Sequence, residues 1–490
     1  MPSLLPPDTP DEVVKRAARG PRVPVFDPRV GRGAVPATGG ARHRLVALGD
    51  SLSQGFQSGA TINAHLAYPA LIARAQGWSD AYREPAYGGP GGGLPINVEW
   101  VLRDLETRFG PDIAPREVPG AALRVRALMD AVEDYWERGE GSGVSGPATI
   151  IPALAMFSWT LRDPLSWTAA SLAAAIQSPR DDVIDQLVES VRARAALRVY
   201  PRGSLTLAAA ARALGEDGGI ETLVVMLGAN EALDAVVELR VAWGDTVALP
   251  SAFVADLGAL ERAVERIPAR HVIWATVPHV TIAPLARGVG GKLAPGSRYF
   301  PYYTRPWISD ERFDAAADPH ITGEQARAVD AAIDAYSDAI TDLVGRGRDD
   351  GRDWYLLELS GMLDRLASRR YIEDPSARPP WWTPYELPDA LAELDPVPDS
   401  HFLASDGQGG RAAGGLFSLD GVHPTTVGYG LVAQELIEII RLAGAESADI
   451  DFAWLIEQDT LLTAPPQNLR SGLQILGWAD QHLGWITRRF

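Results

Sequence analysis

The run Leu45-Val46-Ala47-Leu48 leads without interruption into Gly49-Asp50-Ser51-Leu52. A short apolar run reads as a strand, and the Gly-Asp-Ser that follows reads as a turn into a helix. Apolar strand candidates recur at Glu84–Tyr87, Thr222–Gly228, His271–Val277 and Trp354–Leu359, with helical stretches at Tyr68–Gln76, Phe253–Arg266 and Gly323–Val344. Alternation of this kind predicts an α/β chain with a mainly parallel sheet covered by helices on both faces. In such sheets ligands bind at the carboxyl ends of the strands. Ser51 follows the first strand and Asn230 follows the third, so both fall on that edge.

The alternation is uneven. Residues 1–40, rich in Pro, Gly and Arg, read as an extended N-terminal arm, and 41–445 as one catalytic domain. That domain carries two large insertions. The one at about 104–220 is mostly helical, with apolar helices expected around Ile150–Leu161 and Trp167–Ile176. The other spans about 285–415 and is rich in Pro, Asp, Trp and Tyr. Residues 446–490 form a C-terminal extension whose apolar spacing suggests packing onto the domain. The net charge of −18 argues against nucleic acid as a partner, because such a surface repels phosphate. There is no cysteine, which excludes disulfides, thiolate metal sites and cysteine nucleophiles. The N-terminus has no basic start or sustained apolar run, and no stretch approaches the roughly 20 apolar residues of a spanning helix. A cytoplasmic protein without a transmembrane segment is the expectation.

Ser51 is the candidate nucleophile. A serine hydroxyl is a poor nucleophile unless a base accepts its proton and donors receive the developing oxyanion. The segment Asp420-Gly421-Val422-His423 supplies a candidate base, His423, and a candidate acid three residues before it. That spacing lets Asp420 hold one ring nitrogen while the other faces Ser51. Taken alone, an exposed loop Asp and His would read the same way. Asn230, in Met226-Leu227-Gly228-Ala229-Asn230-Glu231, is either an oxyanion donor through its amide or a helix N-cap. The glycine block Gly88-Gly89-Pro90-Gly91-Gly92-Gly93 lacks the Lys-Ser/Thr of a phosphate loop. It is a plain turn or brings a backbone N–H, at Gly91 or Gly93, to the oxyanion. Phe157 and Trp159 in the first insertion are candidates to line an acyl pocket, and His279 either lines the cleft or is structural. His65, His320 and His401 show no metal-ligand spacing and read as surface residues, and neither metal nor cofactor is expected.

The four blocks, in this order, resemble those of SGNH hydrolases of the GDSL esterase/lipase family: Gly49-Asp50-Ser51-Leu52-Ser53, the glycine block, Gly228-Ala229-Asn230-Glu231 and Asp420-Gly421-Val422-His423. The resemblance covers about half the chain and neither the insertions nor the tail. It departs at Glu231, where many members carry Asp. It implies a three-layer, flavodoxin-like α/β/α fold, with Ser51 as nucleophile, His423 as base and Asp420 as supporting acid. The implied oxyanion donors are the Ser51 N–H, a glycine N–H of the second block and the Asn230 amide. The expected activity is hydrolysis of a small-molecule or lipid carboxyl ester through an acyl-serine. An acyltransferase using the same triad is the alternative within this chemistry, and a non-catalytic binding module on a hydrolase fold the alternative outside it.

Overall fold

A computed structural model describes residues 5–33, 40–143, 145–179, 188–445 and 447–483. Its centre is a five-stranded sheet, all parallel: β1 His43–Gly49, β2 Ala153–Ala155, β3 Ile220–Met226, β4 Ala269–Ala275 and β5 Trp354–Leu357. Their spatial order is β5-β4-β3-β1-β2, so β1, the strand that delivers Ser51, lies between β3 and β2.

Side chains alternate across the sheet, as the two-residue period of a strand requires. Val46, Leu48, Leu223, Val225, Val272 and Trp274 join one core with the helices Leu207–Glu216, Pro250–Val264 and Gly323–Asp349. Leu45, Val224, Met226, Ile273, Tyr355 and Leu357 join the other, under the helices Tyr68–Ala75 and Thr426–Leu442. Helices therefore cover both faces, as the alternation predicts. The helix Gly323–Asp349 starts at a reciprocal cap. Thr322 Oγ1 accepts the Gln325 N–H and Gln325 Oε1 accepts the Thr322 N–H. No helix among the described residues is long and apolar enough to cross a membrane.

Three expectations need correction. Residues Glu84–Tyr87 form no strand; the place beside β1 belongs to Ala153–Ala155, with Ala47, Leu48 and Gly49 opposite Ala153, Leu154 and Ala155. The apolar stretch Ile150–Leu161 is accordingly this strand and a following turn, not a helix. Short apolar runs do not distinguish the two by periodicity, and here the pairing partner decides. The arm at residues 1–40 is not merely extended: Asp11–Ala17 is helical, with Val13 fully buried. Arg16 and Arg22 bind Asp338 at 2.8 and 3.1 Å, and Arg22 also binds Glu358 at 2.8 Å. Residues 1–4 and 34–39 of that arm, and 446 and 484–490 of the tail, lie outside the described residues. The described part of the tail docks on the domain: Phe452, Leu455 and Leu461 are buried, and Asp459 accepts the Val427 N–H.

Candidate active site

β1 ends at Gly49, where a side chain has no room: a Cβ would lie 2.0 Å from Ser53 Oγ and 2.8 Å from the Met226 carbonyl. The chain turns at once into the single helical turn Ser51–Gln54. Asp50 caps it, its carboxylate accepting the Leu52 N–H at 3.0 Å. Asp50 is buried, and burial pushes its carboxyl up to about 7, against the opposing pull of the Leu52 N–H and His423. Ser53 Oγ is hydrogen-bonded to the Tyr68 hydroxyl at 2.8 Å, away from the site.

The second half of the array comes from the other end of the chain. Residues 416–425 close on themselves: the Ser418 N–H donates to the His423 carbonyl at 2.8 Å and the Thr425 N–H to the Leu416 carbonyl at 3.0 Å. The turn inside needs a left-handed residue, and Gly421 supplies it with φ 67°. Thr425 then caps the long helix Thr426–Leu442. Ser418 Oγ accepts the Ser58 N–H at 2.9 Å, which fixes this loop to the chain that follows Ser51.

These constraints bring three expected residues together. Ser51 Oγ lies 2.8 Å from His423 Nε2, and His423 Nδ1 lies 3.1 Å from Asp420 Oδ2. Asp420 also accepts the N–H groups of Gly59, Val422 and His423 at 3.0, 2.9 and 2.8 Å. Its burial would raise the carboxyl pKa, but His423 and these N–H groups outweigh that and hold it below the ordinary carboxylate range. The His423 ring packs on Phe56 at 4.6 Å between centroids, and Phe56 on Phe157 at 5.1 Å. Phe157 thus stands behind His423, buried, and is not in the walls of the two cavities nearby.

Asn230 is the first residue of the helix Asn230–Val237, and the N-cap position before it belongs to Ala229. Its amide donates instead to the Trp159 carbonyl at 2.8 Å. That contact belongs to a wider clamp on the segment after β2. Gln54 Oε1 accepts the Phe157 N–H and Glu231 Oε1 the Leu161 N–H, both at 2.7 Å. Between these anchors Ser158 adopts φ 61°, an uncommon conformation for a residue with a side chain. Neither the Ser51 N–H nor the Ser158 N–H has a hydrogen-bond acceptor among the described residues. Glu231 is half-buried with its Oε2 enclosed, and that burial pushes its carboxyl up to about 8 against the pull of the Leu161 N–H.

The glycine block does not occupy this position. It follows no strand. Gly93 packs so closely on the Thr61 carbonyl that a Cβ would sit 2.3 Å away, and Gly91 abuts the Trp100 ring, with a Cβ 2.9 Å from it. Those contacts account for the glycines at 91 and 93. The backbone next to β1 on that side of the sheet is Met156–Trp159. Nothing in the sequence around Ser158 or Gln54 marks either residue; the only local signal is the apolar run before them.

His279 also departs from the cleft-lining reading. It is 2% exposed and wedged between Asp364 and Asp334, both at 3.2 Å. Burial would lower its pKa, but Asp364, Asp330 and Asp334 outweigh that and raise it to about 10. It is a buried cation in a structural cluster. Trp159 does line a cavity, of about 530 Å³, together with Ser158, Trp167 and Leu172 from the first insertion. Asp163, Glu189 and Arg192 share its wall, so it is not purely apolar. A smaller cavity of about 100 Å³ is lined by Leu52, Met362, Phe417, Val422 and Pro424, immediate neighbours of Ser51 and His423 among them.

The fold and the site define an α/β protein with a Ser-His-Asp array at the carboxyl edge of a parallel sheet. No known protein family, curated protein or solved structure matches the chain.

Proposed function

We propose that this protein is a serine carboxyl-ester hydrolase of the SGNH/GDSL type. The observation that carries the reading is the continuous array from Ser51 Oγ through His423 to Asp420, at 2.8 and 3.1 Å. With Nδ1–H donating to the Asp420 carboxylate, Nε2 of neutral His423 is free to accept the Ser51 proton. Ser51 Oγ attacks the ester carbonyl as that proton moves to Nε2. The tetrahedral oxyanion is received by the N–H groups of Ser51 and Ser158 and by the Asn230 amide. The reading rests here on the two N–H groups having no other acceptor and on Asn230 being held beside Trp159. Collapse transfers the Nε2 proton to the leaving alcohol and leaves an acyl-serine. Water, giving its proton to Nε2, then releases the acid and restores Ser51.

The test is hydrolysis of p-nitrophenyl esters beside labelling by a fluorophosphonate. The wild type should react with both, and Ser51→Ala should lose the label and roughly 10⁴–10⁶ of kcat. Retention of most turnover by folded Ser51→Ala overturns the proposal.

A further inference from the structure

Next to the Asp420–His423 loop lies a cavity of about 690 Å³. It adjoins that loop: the Leu285 N–H donates to the Gly421 carbonyl at 2.9 Å, and a Cβ on Gly421 would lie 2.8 Å from the ring of Phe402, a cavity wall residue. Its lining is unlike the rest of the molecule. Arg287, Arg298, Arg312, Arg369, Arg370 and Arg470 all face it, and no Asp or Glu does, in a chain whose net charge is −18.

Carboxylates behind the wall neutralise part of this charge. Arg287 binds Asp310 at 2.5 Å and Arg370 binds Asp330 at 3.0 Å. The one histidine of the wall, His401, is held by Asp399 and Glu373, each at 2.8 Å. The other four arginines have no ion-pair partner among the described residues. Arg298 donates to the Tyr299 and Tyr371 hydroxyls. Arg369 donates to the Gly288 carbonyl at 2.7 Å and lies over the Phe300 ring. Arg312 and Arg470 are exposed at the margin. The local field acts on the neighbouring cation in the expected sense. Lys292 is held down to about 8, by burial first and by Arg370 next. Gathering like charges around a space is costly unless an anion enters it. Planar guanidinium groups match phosphate oxygens two at a time. Phe300, Tyr303, Trp307 and Phe402 add an apolar, aromatic surface to the same cavity.

We propose that this cavity is a binding site for a phosphorylated small molecule: a dianionic phosphate held by the unpaired arginines, with an apolar or aromatic body against the aromatic wall. The site is separate from the Ser51 array and does not depend on the esterase reading. The experiment is calorimetric titration of the full chain with phenyl phosphate, inorganic phosphate and benzoate, at low and high salt. Phenyl phosphate should bind tightest, more weakly as salt rises. Ser51→Ala should bind it unchanged. Arg312→Gln/Arg470→Gln, at exposed positions with no ion pair to lose, should weaken it on the order of tenfold per arginine removed. Arg369→Gln should do the same from deeper in the wall. Absence of binding at millimolar phenyl phosphate, equal binding of benzoate, or affinity unchanged in all the arginine variants each overturns the proposal.

Discussion

Replacing Asp420 by Asn separates holding the loop from orienting the base. Both carboxylate oxygens are in use: Oδ1 accepts from Val422 and His423, and Oδ2 from Gly59 and His423 Nδ1. A carboxamide has one oxygen. Placed at Oδ1 it keeps two backbone bonds and turns its NH₂ toward the Gly59 N–H and His423 Nδ1. Two donors then face the NH₂, and the imidazole resolves its part by moving its proton to Nε2. Nε2 becomes a donor and no longer accepts from Ser51, the tautomer error that costs about 10⁴ in kcat in a serine-protease triad. The Gly59 N–H loses its charged acceptor, worth about 1.5–3 kcal/mol in a buried setting. The expected outcome is therefore a folded variant, less stable by roughly that amount, with kcat for p-nitrophenyl acetate down by on the order of 10³–10⁴. Thermal unfolding and steady-state kinetics on the same preparation read the two effects. A variant destabilised as expected but turning over at the wild-type rate refutes this account of the base.

Asn230→Ala should cost on the order of 10²–10³ in kcat with little change in KM; normal turnover in the folded fraction would return Asn230 to a purely structural role. Trp159→Ala should weaken kcat/KM for longer-chain esters by about 1–3 kcal/mol more than for acetate esters. Phe157→Ala, which loosens Phe56 beneath His423, should instead slow all chain lengths alike, and an ester series distinguishes the two. Glu231 carries a folded-state pKa of about 8 against an ordinary 4.5, so the native state binds the proton more tightly than the unfolded one. Its contribution therefore favours folding below about 4.5 and is lost, at roughly 1.4 kcal/mol per pH unit, as pH rises toward about 8. Glu231→Gln removes that slope while keeping an acceptor for the Leu161 N–H. The variant should gain stability over the wild type at pH 8 relative to pH 4, and chemical unfolding across that range with an unchanged difference would count against a neutral Glu231.

Features that depend on neighbours along the chain could be read before folding. The strand His43–Gly49 and its turn into Ser51, the Asp420-Gly421-Val422-His423 spacing and the helices Tyr68–Ala75 and Gly323–Asp349 are set by local apolar period, caps and turn residues. These features place Ser51 on the strand edge and Asp420 within reach of His423 before any tertiary contact is known. What lay beyond the sequence was every choice among distant partners. Ala153–Ala155, not Glu84–Tyr87, pairs with β1, because a three-residue edge strand has no period of its own and is defined by what it bonds to. Asn230 serves Trp159 rather than its own helix end, a distinction that an amide at a helix start cannot reveal. His279 is a buried cation and not a cleft residue, because Asp334 and Asp364, 55 and 85 residues away, converge on it. Burial and charge pairing are sums over the folded neighbourhood, and only the tertiary structure supplies that neighbourhood.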